Sequence, residues 1–305
     1  MYLRASDTLV EVWAPAKINL FLEVLGKRDD GFHEIETLMT PVGLFDTLYF
    51  QAETKRRGAA TSIGLTCQWS SGCWGDRRGE KLPEGADNTV VRAVRLLQER
   101  TGTSAGATLR LVKRIPQAAG LAGGSSDAAA ALAAANRGWR LGLSQAELAE
   151  LAAQIGSDAP FFLAGGPAVC RGRGERVEPI SRLGALRFVV VKPPDGLKTR
   201  EVYARCQRAE APRSSAALVE ALRRGDIHGA GRLLHNQLQP AAEELSPWIA
   251  RLKREFDKLD VAGHQMSGSG ASYFGLCRGA RHARRLARRL RARGVGDVFA
   301  VRSCC

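Results

Sequence analysis

The chain has 305 residues, 45% hydrophobic and 25% charged, a composition that suits a folded protein with a large core and room for two domains. Its 45 basic and 31 acidic residues leave a net charge of +14. No apolar run approaches the ~20 residues of a membrane span and the first residues lack the apolar core of a secretory signal, so a cytoplasmic protein with no membrane partner is expected.

Residues 8–25 are rich in Val, Leu, Ile and Phe and predict one or two strands interrupted by Pro15. A turn over 26–31 precedes a strand at 32–42 and another at 46–52. From 53 to 85 the chain is polar and glycine-rich, with isolated Leu65, Trp69 and Trp74, and reads as a loop excursion or an irregular hairpin. Asp87-Asn88-Thr89 opens a helix carrying Val90, Val91, Val94 and Leu97, and 107–113 is a strand. The Ser144–Glu147 capping box starts an amphipathic helix that ends at Gly156. A short turn over 157–162, a hairpin over 168–179 and a strand at 187–191 follow. Helices are predicted at 214–224, 226–236 and 247–259, then a glycine turn at 267–270, a strand at 271–277 and a last strand at 297–301.

Between Arg281 and Arg293 seven arginines alternate with Ala283, Leu286, Ala287 and Leu290 at helical spacing. One face can bury while the arginines meet water. No zinc-finger, RRM or KH pattern accompanies this charge, so a solvated face that also steers anions is preferred over a nucleic-acid partner. Seven cysteines form no CxxC and match no zinc or iron–sulfur spacing, as expected of thiols in a reducing compartment.

Ile115–Asp127 reads as an extended segment, a glycine-rich turn and the start of an alanine-rich helix. Gly120, Gly123 and Gly124 permit close approaches that a Cβ would block, while Ser125, Ser126 and Asp127 suit a helix start. Unpaired N–H groups and a positive dipole end make such a place receptive to polyphosphate. No Lys-Ser or Lys-Thr follows the glycines, so this is no standard P-loop.

Three separated motifs resemble the GHMP kinases: Pro15-Ala16-Lys17-Ile18-Asn19-Leu20 with Gly31-Phe32-His33; Pro116–Asp127 with Gly156–Phe162; and Ser267–Ser272. The resemblance spans about residues 13 to 302. It implies an α+β, two-domain GHMP kinase fold. Residues 1–185 would form a domain like domain 2 of ribosomal protein S5, with a left-handed β-α-β crossover, and 186–305 a ferredoxin-like α+β domain. Lys-Ile-Asn and Gly-Phe-His narrow the likeness to the branch that phosphorylates the 2-hydroxyl of a cytidine diphosphate methylerythritol, with ATP and Mg2+, in the non-mevalonate isoprenoid route. Another GHMP kinase with a different alcohol acceptor is the alternative.

The resemblance also assigns residues. Asp158 would accept or orient the hydroxyl proton, although Asp before Ala-Pro also forms turns. Lys17 would keep that carboxylate ionised and face the transferring phosphoryl. Gly120, Leu121, Ala122, Gly123, Gly124, Ser125 and Ser126, preceded by Pro116, would wrap the ATP phosphates, with Asn88 and Lys113 nearer the nucleoside. Asn19, Thr199, Ser269 and Gly270 would contact the acceptor. Phe32, His33 and Tyr203 would form the cytosine pocket. The family usually has Gly at Ala122 and often Asn at Asp127, which places both departures beside the phosphates. The resemblance does not specify protein ligands for magnesium, and a monomer or homodimer is expected.

Overall fold

The computed structural model describes residues 1–53, 62–71, 82–83, 85–181 and 183–304. Trp74, Cys73 and much of the polar excursion lie outside them. The chain opens with β1 (Tyr2–Ala5), β2 (Val10–Lys27), β3 (His33–Glu53) and β4 (Ile63–Trp69). Next come α1 (Thr89–Thr101), β5 (Gly106–Lys113), α2 (Gly123–Gly138), α3 (Gln145–Ile155) and α4 (Ala159–Ala164). The hairpin β6 (Ala168–Gly172) and β7 (Arg176–Pro179) leads to β8 (Arg187–Lys192). Then follow α5 (Thr199–Arg205), α6 (Ala216–Arg223), α7 (Ile227–Arg232), β9 (His235–Asn236), α8 (Gln239–Leu245) and α9 (Pro247–Asp257). The chain closes with β10 (Gly263–Met266), β11 (Tyr273–Cys277), α10 (Ala280–Arg291) and β12 (Asp297–Arg302). This is a two-domain α+β architecture.

Several expectations are corrected. β2 runs unbroken through Pro15. Its ladder with β1 stops at Trp13, so no residue of β1 asks Pro15 for a donor. The two strands expected at 32–42 and 46–52 are one, β3. Non-local support carries it past Pro41, whose carbonyl accepts from Cys304 N at 2.8 Å, while Val42 bridges Ser303. Within the polar excursion, Ile63, Leu65, Cys67 and Trp69 alternate along β4, which runs parallel to β5. The turn expected at 157–162 is largely helix α4, with a proline in its first turn where no donor is needed. The helix expected over 226–236 is shorter: it stops at Arg232, and the chain re-emerges as β9.

The chain forms two compact units. One comprises Met1–Ala16, Leu44–Ile115 and Ala122–Gly165; the other comprises Lys17–Gly43, Pro116–Leu121 and Gly166–Cys305. β2 and β3 pass from one into the other. In the first unit, β5 lies between β4 and the later half of β3, and helices α1, α2 and α3 cover a core of Leu48, Phe50, Val94, Leu97, Leu109 and Leu132. Helix α2 is nearly all alanine on its buried side, from Ala128 to Ala135. In the second unit, sheet β10-β11-β8-β12 is packed by α9 and α10 around Val189, Val191, Phe256 and Leu286. Ala283, Leu286, Ala287 and Leu290 form the buried face of α10, as their spacing predicts. Among the described residues, no helix is long and apolar enough to cross a membrane.

The buried face of α2 is built from small side chains. Ala131 is fully buried, and Ala131→Leu is expected to cost about 1–3 kcal/mol by overpacking. Urea unfolding measures this; an unchanged midpoint would show slack in the core.

Candidate active site

Candidate residues gather in two places, one in each unit. In the first, Asn88 caps α1, its Oδ1 accepting from Val90 N at 2.8 Å while Nδ2 donates to Pro83 O at 2.5 Å. Thr89 Oγ1 donates to Gly124 O at 3.0 Å and so ties the start of α1 to the start of α2. Helix α2 begins earlier than Ser125. Its N-cap is Ala122, and no side chain caps it. Ala122 holds φ +54°, a left-handed conformation that suits glycine better. Gly123 and Gly124 thus occupy the first turn, with their N–H groups directed outward as in any helix start. A Cβ on Gly123 would lie 3.1 Å from Ile115 Cγ2 and 3.3 Å from Lys113 Nζ, whereas one on Gly124 would meet nothing closer than 3.8 Å. Gly123 is therefore needed for packing, and the exposed side of the turn belongs to Gly124. Ser126 Oγ and Asp127 Oδ1 are buried without a hydrogen-bond partner.

Lys113 is buried between two carboxylates, 2.5 Å from Asp46 Oδ2 and 2.5 Å from Asp127 Oδ2. Asp46 Oδ1 also accepts from Arg114 N and Ile115 N, at 2.5 and 2.9 Å. Strands β3 and β5 and helix α2 are thereby joined by one charge cluster. Asp127 sits beneath the helix start, its charge facing Lys113. Burial pushes its carboxyl up, Lys113 draws it part-way back, Asp46 pushes it up again, and it reaches about 7. Burial acts to lower Lys113, but Asp127 and Asp46 outweigh it and hold the ammonium charged. Asp46 went unnoticed in the sequence, although an acid alternating with Leu48 and Phe50 along a strand marks a buried carboxylate.

Asp158 is half-buried in the turn that leads into α4, at its N-cap, and its side chain makes no capping hydrogen bond. Ser125 Oγ lies 3.4 Å from where a Cβ of Gly156 would be, which places the loop hydroxyl over the segment leading to Asp158.

In the second unit, Lys17 and Asn19 alternate to one face of β2 and the Lys17 ammonium donates to Asn19 Oδ1. Asn19 Nδ2 donates to Thr37 Oγ1 at 2.8 Å. The backbone of Lys17 donates to Leu121 O at 3.1 Å, so the loop after Pro116 lies along β2. Gly120 faces the 267–270 turn, where a Cβ would come within 2.8 Å of Gly270 O. Gly268, at φ +59°, would place one 2.9 Å from Lys17 Nζ. At Gly120 the backbones approach more closely than a side chain allows.

Helix α5 presents Thr199 and Tyr203 one turn apart. Thr199 Oγ1 and Ser269 Oγ are 2.9 Å apart, and the Tyr203 and His33 rings are 4.9 Å apart and tilted by 32°. Phe32 is 47% exposed, with the Arg173 guanidinium 4.9 Å over its ring. Burial, then Lys27, lowers His33, so its imidazole is neutral at neutral pH. The structure thus brings together Lys17, Asn19, Gly120, Leu121, Ser269, Gly270, Thr199, Tyr203 and His33 in one unit, and Asn88, Lys113, Ala122–Ser126 and Asp158 in the other.

The model for the GHMP kinases N terminal domain matches residues 88–166 and that for the GHMP kinases C terminal matches 218–296. The 4-diphosphocytidyl-2-C-methyl-D-erythritol kinase of Pelotomaculum thermopropionicum is 43% identical over 285 residues, covering 93% of this chain and 94% of the relative. The chain belongs to the 4-diphosphocytidyl-2-C-methyl-D-erythritol kinase family of GHMP kinases. A crystal structure of a 4-(cytidine 5'-diphospho)-2C-methyl-D-erythritol kinase shares 36% identity and a TM-score of 0.79, over 97% of this chain and 99% of that one. Homoserine kinase from Cytophaga hutchinsonii shares the fold, with a TM-score of 0.74 at 21% identity over 98% of this chain and 96% of that one.

Within this kinase Asp127 makes a checkable contribution to stability. A carboxyl raised from its unfolded value near 4 to about 7 favours the folded state fully below about pH 4 and loses that contribution as pH rises through 7. Asp127→Asn removes this slope. Its melting temperature should gain on the parent steadily from about pH 4 to pH 7. A difference that does not vary with pH would contradict the assignment.

Proposed function

We propose that this kinase transfers the γ-phosphoryl group of ATP to the 2-hydroxyl of 4-diphosphocytidyl-2-C-methyl-D-erythritol, within the non-mevalonate route to isoprenoid precursors. The observation that carries the reading is 43% identity to a kinase of that name along 93% of the chain. The uncapped start of α2, with Gly124 open and Ser126 Oγ lacking a partner, supports placing the ATP phosphates there. Hard oxygen donors such as Ser126 Oγ also suit Mg2+, which when bound with ATP neutralises charge on the β- and γ-phosphates. Asn88 and Lys113 shape the nucleoside end through the two helix starts they hold, with Pro116, Gly120 and Leu121 leading into the phosphate loop.

Phe32 and Tyr203 offer faces for a pyrimidine, and neutral His33 offers one donor and one acceptor for its polar edge. Asn19, Thr199, Ser269 and Gly270 address the rest of the acceptor. A tertiary alcohol is a weak nucleophile, so positioning decides the rate. The hydroxyl oxygen attacks the γ-phosphorus as the bond to the β-phosphate oxygen breaks. Asp158 orients that hydroxyl and accepts its proton, ADP leaves, and Lys17 faces the charge on the phosphoryl oxygens.

Steady-state turnover of ATP with the cytidine-diphosphate acceptor, against mevalonate and homoserine, tests the reading. The parent should use the first far better than the others. Asp158→Asn should keep the fold and ATP affinity and lose roughly 10²-fold or more in kcat. A preference for mevalonate or homoserine would replace the acceptor assignment, and a kcat within about threefold of the parent would return Asp158 to a structural role.

A further inference from the structure

Asn236 lies on β9, alongside β2 in parallel register with Leu22. It is buried, and both its donors and its acceptor are engaged. Nδ2 donates to Met266 O at 2.8 Å and to Gly268 O at 2.9 Å, while Oδ1 accepts from Leu238 N at 3.0 Å. Two donors and one acceptor are thus spent on backbone, and the two donors straddle the entry to the 267–270 turn.

That turn is where small displacements matter. Gly268 leaves no room for a Cβ against Lys17 Nζ, at 2.9 Å, or Asn19 Oδ1, at 3.0 Å. Ser267 Oγ donates to Gly120 O at 3.2 Å, and Gly270 N closes the turn onto Ser267 O at 3.0 Å. Ser269, at its tip, meets Thr199. A second buried amide works from the other side: Gln265 Nε2 donates to Asn19 O at 3.0 Å and Leu20 O at 3.1 Å. Strand β10 and its turn are therefore bound to the Asn19–Leu20 backbone by Gln265 and to β9 by Asn236. Removing the Asn236 donors would leave two buried carbonyls unpaired where the turn passes Lys17.

We propose that Asn236 is a positioning residue for phosphoryl transfer. Its amide holds the 267–270 backbone at the spacing that sets the Lys17 ammonium and the Ser269-Gly270 segment for the reaction. This rests on the role given to Lys17 above. Misplacement of such groups by about 1 Å can cost on the order of 10²-fold in rate with little loss of ground-state binding, so the effect belongs in kcat.

Asn236→Asp keeps the shape but turns an oxygen toward two carbonyl oxygens, and Asn236→Ala removes the donors without adding charge. Gln237→Ala is the structural comparison, because Gln237 braces the same segment elsewhere, accepting from Val24 N at 2.6 Å and donating to Gln207 O at 2.8 Å. Steady-state kinetics and melting temperature are measured for the parent and all three variants. Both Asn236 variants should lose at least about tenfold in kcat with KM for ATP and acceptor within about threefold, whereas Gln237→Ala should lower the melting temperature and keep kcat. A folded Asn236 variant with parental kcat, or a kcat loss equal to that of Gln237→Ala, overturns the inference. Inactivity of the parent with this acceptor overturns the functional reading itself, and the inference with it.

Discussion

Close backbone approach is the constraint on which the second unit depends. At Gly120 and Gly268 a Cβ would collide with a carbonyl or with the Lys17 ammonium, so three stretches far apart in sequence can share one small volume. Lys17 and Asn19 lie on β2, the loop after Pro116 accepts from Lys17 N through Leu121 O and from Ser267 Oγ through Gly120 O, and the 267–270 turn closes beside them. Glycine's conformational freedom costs entropy in the unfolded chain; here it is exchanged for proximity that no other residue permits. The polar side chains around the turn then fix what the glycines allow.

The first unit solves a different problem, which is to hold a helix start in place without covering it. A buried lysine between two aspartates joins β3, β5 and α2. Such clusters seldom add net stability, because desolvation offsets the attraction, but they are severe about geometry, since removing one member strands the others. Asp127 is the member in excess: burial first, and then Asp46 already opposite Lys113, raise its carboxyl to about 7. The alanines that follow let α2 lie close to its neighbours, so the helix start is fixed by packing behind and charge beneath.

Much of this was legible in the sequence where local chemistry decides structure. The Ser144 capping box, the Asn88 cap and the apolar face of α10 appear as their residues predict. The glycine loop was legible as a helix start, but its first turn begins at Gly123, with Ala122 strained where the serines had seemed to cap. What was hidden depends on distant partners. β3 continues past Pro41 because Ser303 and Cys304 meet it, and β4 follows an alternation masked by the polar residues around it. Asp46, Asn236 and Gln265 carry no motif. Their roles appear only when strands bring backbone carbonyls and amides to them.

The product itself gives the most direct measurement. The 2-hydroxyl is on a tertiary carbon, which bears no hydrogen, so a phosphate placed there has no proton three bonds away. Phosphorus NMR of a turnover mixture containing the kinase, magnesium, ATP and 4-diphosphocytidyl-2-C-methyl-D-erythritol should show ADP growing in step with one new phosphomonoester, unsplit when proton coupling is left on. A split phosphomonoester signal, or ADP formed with no new phosphomonoester, would contradict transfer to that hydroxyl.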